Sequence, residues 1–100
     1  MATKTSFPSL FGGKKQKTTL TIKYDCGFSN YLTIRGAGTR ELSWKQGIPL
    51  KNIKSDEWVY EFNEPVNHCE FKILINDEIY ECGDNHLLTN GNHHQIVPHF

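Results

Sequence analysis

The sequence predicts an all-β fold, an immunoglobulin-like antiparallel β-sandwich of about seven strands. Three observations lead there. Apolar residues recur with a period of two in several short runs. Turn residues separate those runs at intervals of about 8 to 12 residues, the rhythm of a sandwich. No stretch carries the spacing of an amphipathic helix, and Pro49 and Pro65 stand in the only gaps where one would fit.

The elements follow in order. Residues 1–16 read as a disordered basic arm, because Phe7-Pro8 and Gly12-Gly13 break any period and Lys4, Lys14 and Lys15 bring charge without an acid. Residues 17–100 read as the domain. Leu20, Ile22 and Tyr24 alternate with Thr19, Thr21 and Lys23, which predicts a half-buried strand ending at Asp25-Cys26-Gly27. The second strand spans residues 31–35. Leu32 and Ile34 point one way, and Tyr31, Thr33 and Arg35 the other, until Gly36-Ala37-Gly38 ends it. Leu42-Ser43-Trp44 is a short extended piece. Trp58, Tyr60 and Phe62 alternate with Val59 and Glu61, and Phe71, Ile73 and Ile75 with Lys72 and Leu74. Asn76-Asp77 predicts a tight hairpin turn before Ile79-Tyr80. Further turns fall at Gly83-Asp84-Asn85 and Asn90-Gly91-Asn92, and His94 to Val97 closes the domain. Trp58, Phe62, Phe71, Ile73, Ile75 and Ile96 are the expected core.

Composition narrows the function. A chain of 100 residues holds one domain, and 37% hydrophobic content suits a folded one. The formal charge is zero, which gives no bulk attraction to nucleic acid or an acidic membrane. No apolar run is long enough to span a bilayer, and no secretory signal is visible. Three cysteines, Cys26, Cys69 and Cys82, cannot all pair within one chain, so free thiols and a cytoplasmic location are expected. Neither cofactor nor metal is expected. The thiols lack the CxxC spacing of a zinc site, and His86, His93, His94 and His99 lack a ligating spacing on one element.

Nor do the residues suggest an enzyme. Glu78 and Glu81 are three apart, which on a strand sends them to opposite faces rather than together as paired carboxylates. There is no nucleophile-elbow serine and no glycine-rich phosphate loop. Sugar binding fits better, since it asks for exposed rings flanked by hydrogen-bonding groups. Trp44, between two loop signals, is the ring best placed for exposure. Pairing across Asn76-Asp77 would bring Lys72 near Tyr80.

The order Leu42-Ser43-Trp44, Trp58-x3-Phe62, Glu70-Phe71-Lys72, Asn76-Asp77 and Tyr80-Glu81-x-Gly83-x-Asn85 resembles the starch-binding carbohydrate-binding modules of family 20. The resemblance covers roughly residues 31–100. It implies a binding site for α-glucan in which Trp44 and Tyr80 stack on the sugar and Lys72, Glu81 and Asn85 hold its hydroxyls. Tyr80 stands where that family has a tryptophan, and Leu42-Ser43-Trp44 lacks the family's glycine. A protein-interaction sandwich that keeps the fold without the sugar is the alternative.

Overall fold

The computed structural model describes residues 17–91 and 93–100, and of Asn90 and Gly91 the backbone alone. The expected arm at 1–16 lies outside the described residues. Nine strands follow in order: β1 (Thr19–Lys23), β2 (Leu32–Ala37), β3 (Ile48–Pro49), β4 (Lys51–Lys54), β5 (Glu57–Glu61), β6 (Val66–Ile75), β7 (Ile79–Tyr80), β8 (His86–Gly91) and β9 (His93–Ile96). They form two sheets. One has the order β4-β5-β1-β9, and the other β3-β2-β6-β7 with β8 also on β6. The all-β sandwich expected from the alternation is the observed fold, with two more strands than foreseen.

The core lies where the alternation directs it. Leu20 and Ile22 from β1, with Trp58 from β5 and Phe62 just after it, face Leu32, Ile34, Phe71 and Ile73 from the other sheet, and all are buried. Ile75 and Ile96 pack against this cluster only partly buried, being near strand ends. Trp58 donates its indole N–H to the Tyr24 carbonyl at 3.1 Å, so the ring's polar atom is satisfied on burial.

Local signals mislead at three places. The glycines after Arg35 do not end β2, which runs on through Gly36 and Ala37. Gly36 lies opposite Phe71, and a Cβ there would stand 2.9 Å from the Phe71 Cα, so glycine serves close strand approach rather than a turn. Of the turn expected at Asn90-Gly91-Asn92, Asn92 lies outside the described residues, while Asn90 and Gly91 belong to β8, which pairs Gly91 with Val66. The sandwich is not wholly antiparallel either: β9 runs parallel to β1, with Thr19 opposite His93 and Ile22 opposite Ile96. A parallel neighbour needs a long crossover that no hairpin signal announces.

The Asn76-Asp77 turn forms as expected. Both residues have positive φ, 55° and 56°, and Glu78 N donates to Ile75 O at 3.0 Å. This is the pair of positive φ values that a type I′ turn requires and that Asn and Asp tolerate. Cys26, Cys69 and Cys82 are all free thiols. Burial, with the Glu41 charge adding to it, pushes the Cys69 thiol up to about 11.

Phe71 is almost wholly buried at the centre of this core. Phe71→Ala should therefore lower the unfolding free energy by about 3–5 kcal/mol in urea titration. A loss below about 1 kcal/mol would place Phe71 outside the core.

Candidate functional site

On β2, Leu32, Ile34 and Gly36 face the core, so Thr33 and Arg35 face outward, opposite Leu74 and Lys72 of β6. Thr33 and Leu74 are nevertheless fully buried, so something covers this outer face. The cover is the loop between β2 and β3, which folds back beside the strand. Gly36 N donates to Ser43 O at 3.2 Å, and Gly47 N to the Asp77 carboxylate at 3.3 Å. Trp44 rides on this loop and is half-buried.

Arg35 ties the pieces together. It donates to the Trp44 carbonyl at 3.0 Å and to the Tyr80 hydroxyl at 3.1 Å, both from Nη1. Its guanidinium carbon lies 5.8 Å from the centre of the Tyr80 ring. Its Nε and Nη2 grip the Asp77 carboxylate, each at 2.9 Å. Asp77 also receives the Thr33 hydroxyl at 2.9 Å. The Arg35 hydrogen bond leads in holding the Asp77 carboxyl at about 2; burial opposes it, and the Thr33 and Gly47 bonds act with it in smaller measure.

Lys72 lies opposite Arg35 and is half-buried. It donates to the carbonyls of Glu81, at 2.9 Å, and Gly83. Two of its three N–H bonds are thus engaged, and the third has no partner among the described residues. Tyr80 is 46% exposed. Its oxygen accepts from Arg35, which leaves its own O–H as a donor. Asn85 is exposed, and its amide donates to Glu70 at 3.4 Å, two residues before Lys72 on the same face of β6.

Glu81 sits differently from the expectation that it would face a sugar. It is only 3% exposed, and its carboxylate accepts from Ile73 N at 2.7 Å and meets His86 Nε2 at 2.9 Å from both oxygens. A buried carboxylate needs partners, and these occupy it inside the protein. Its carbonyl, which orients Lys72, is its link to the outer face. Sequence reasoning also missed Arg35 and Asp77. The available signal was an arginine on the outward face of an apolar strand, and an aspartate in a turn that was read for its shape alone.

Two concavities lie elsewhere. A cleft of about 740 Å³ runs between the Gly38–Glu41 segment and residues 63–68. There Glu41 accepts from the Tyr60 hydroxyl and from Asn63 N at 3.2 Å. Burial first, then this bond, raises the Tyr60 hydroxyl well above its ordinary value. A second cleft of about 580 Å³ at the other end is lined by Phe28, Asn30, Asn52 and Trp58 among others, with Phe28 99% exposed. Neither cleft is lined by Trp44, Lys72 or Tyr80. Among the described residues no three His, Cys, Asp or Glu side chains gather as metal ligands.

No protein-family model and no curated protein matches this chain. Among solved structures, it superposes on a glycoside hydrolase family 15 glucoamylase from Hypocrea jecorina with a TM-score of 0.67. That likeness establishes the fold. Sequence identity is 13%, and the match covers 95% of this chain but 20% of the glucoamylase, so the chain spans about a fifth of that protein's length.

The acid response of the Asp77 knot can be measured. Its folded-state value of about 2 lies below the ordinary 3.8, so its stabilisation is present above 3.8 and lost as pH falls toward 2. The urea midpoint of the wild type should therefore drop more steeply across that window than that of Asp77→Asn. Parallel pH profiles for the two proteins would show that the knot adds nothing to stability.

Proposed function

We propose that this chain is a non-catalytic module that binds α-glucan, a starch- or glycogen-like polysaccharide, through the outer face carrying Trp44, Lys72 and Tyr80. The observation that carries the reading is the shared Arg35 nitrogen. It holds the Trp44 carbonyl at 3.0 Å and the Tyr80 hydroxyl at 3.1 Å, so two ring-bearing residues flank one guanidinium on the strand position opposite Lys72. Ring faces meet the apolar C–H face of a pyranose, while nearby polar groups take its hydroxyls. The polar groups left over here are donors, the third Lys72 N–H and the Tyr80 O–H, and sugar oxygens accept from both. The Asn85 amide extends the polar rim, and Glu81 supports Lys72 from within. A fold shared with part of a glycoside hydrolase, an enzyme class acting on carbohydrate, supports a carbohydrate partner.

A second reading, a protein-interaction sandwich, draws on Leu87 and Ile79. They are 68% and 53% exposed on the strands beside β6, and in this reading they are the apolar contacts a protein partner would cover.

Titration with β-cyclodextrin or maltoheptaose, followed by NMR, decides between them. An open face buries little ligand area, so a dissociation constant no tighter than about micromolar is expected. Trp44→Ala should abolish binding while the amide shifts of Phe62 and Phe71 stay in place. If millimolar sugar moves no resonance of Trp44, Lys72 or Tyr80, the glucan reading fails and the protein-interaction reading replaces it.

A further inference from the structure

Arg35 has five N–H bonds, and all five are used inside the molecule. Nε and one N–H of Nη2 meet the two Asp77 carboxylate oxygens. The other Nη2–H meets the Asp77 carbonyl at 3.1 Å, and the two on Nη1 meet Trp44 and Tyr80. No donor remains to reach a ligand. The charge is cancelled as well, since Asp77 pairs with Arg35 directly. That cancellation lets Lys72 stand opposite Arg35 across the strands, where two bare cations would repel.

The acceptors of Arg35 sit on separate pieces of chain: the loop bearing Trp44, the tip of the β6–β7 hairpin, and β7 itself. Among the described residues, hydrogen bonds between that loop and the hairpin run only through Arg35 and Asp77. Gly47 makes the junction possible. A Cβ there would overlap the Asp77 carboxylate and come 2.8 Å from the Thr33 hydroxyl. The loop can approach the carboxylate closely enough to donate from its backbone because position 47 has no side chain.

We propose that Arg35, anchored by Asp77, is the positioning residue of the Trp44–Lys72–Tyr80 face: it presets the Trp44 loop against Tyr80 before any ligand arrives and touches no sugar itself. This inference rests on the glucan reading above. A weak open-surface site gains most from such presetting, because ordering a loop on binding would subtract from an already small affinity. Lysine cannot substitute for the arginine. One ammonium has three donors on one atom and cannot span a carboxylate, two carbonyls and a hydroxyl.

The experiment compares Arg35→Lys and Asp77→Asn with the wild type in two measurements. The first is the β-cyclodextrin titration. The second is acrylamide quenching of tryptophan fluorescence without ligand, which reports chiefly on Trp44 because Trp58 is buried. Both variants should bind about tenfold more weakly, the cost of ordering a released loop. Both should also show stronger quenching, while Phe71 and Ile73 amide shifts remain native. Binding within twofold of the wild type in both variants would overturn the proposal. Should Arg35→Lys fail to fold, Gly47→Ala pushes the loop off the Asp77 carboxylate and alters no group offered to the sugar; weakened binding supports the positioning role and unchanged binding overturns it. If the wild type binds no sugar, the glucan reading falls, and the quenching decides the role of Arg35 alone: unchanged quenching in both variants refutes it.

Discussion

Strand β6 exchanges one neighbour for another along a single edge, β7 beside Leu74 and Ile75 and β8 beside residues 66–71, and the join falls at Ile73 and Lys72. A regular antiparallel pair would exchange both backbone hydrogen bonds between Ile73 and Glu81. Only one is made, from Glu81 N to Ile73 O at 3.0 Å. The return bond from Ile73 N goes to the Glu81 carboxylate instead, and the displaced Glu81 carbonyl turns to Lys72. This substitution of a side chain for a main-chain acceptor makes the corner possible. It ends β7 after Tyr80, carries the chain through Gly83 at positive φ, and restarts pairing at His86, whose ring closes over the same carboxylate. Had Glu81 kept the ladder, Lys72 would lack the carbonyls that fix its ammonium.

Two other acids do comparable work. Glu41 joins the segment after β2 to Tyr60 of β5 and to Asn63, and Asp77 joins the β6–β7 hairpin to Arg35 and to Gly47. Three carboxylates thus stitch irregular chain to regular strands, each accepting from at least one backbone N–H. Charged acceptors form the stronger class of hydrogen bond, and loops that lack a ladder have most need of them. Glu41, Asp77 and Glu81 are therefore no guide to partners, because their carboxylates are engaged within the fold.

What the sequence made legible was local. Leu20 and Ile22, Leu32 and Ile34, and Phe71 and Ile73 alternate cleanly because one face of each strand meets the core, and Asn76-Asp77 announces its turn because few other residues accept two positive φ values. Illegible parts depended on distant chain. Lys51–Lys54 forms an edge strand whose residues are all exposed, so burial wrote no alternation into it. Gly36 and Asn90-Gly91 look like breaks until their neighbours across the sheet are known. Glu81 is polar by composition and buried by context. Trp44, Lys72 and Tyr80 could be singled out by residue type, but the arginine that links Trp44 to Tyr80 could not, since its partners lie on three segments that only the folded topology brings together.

The parallel pairing of β1 with β9 sets an order of events during folding. Leu20 of β1 lies opposite His94, so the first strand keeps one edge open until β9 is available. On a ribosome, β5 can join β1 early, and β2 can find β6, but the sheet containing β1 gains its fourth strand only after His93–Ile96 has left the exit tunnel. Closing so long a stretch of chain costs entropy before it returns any contact. Until β9 arrives, the nascent sandwich carries a bare edge on β1, the interval in which a chain of this topology is most exposed to pairing with a second copy of itself.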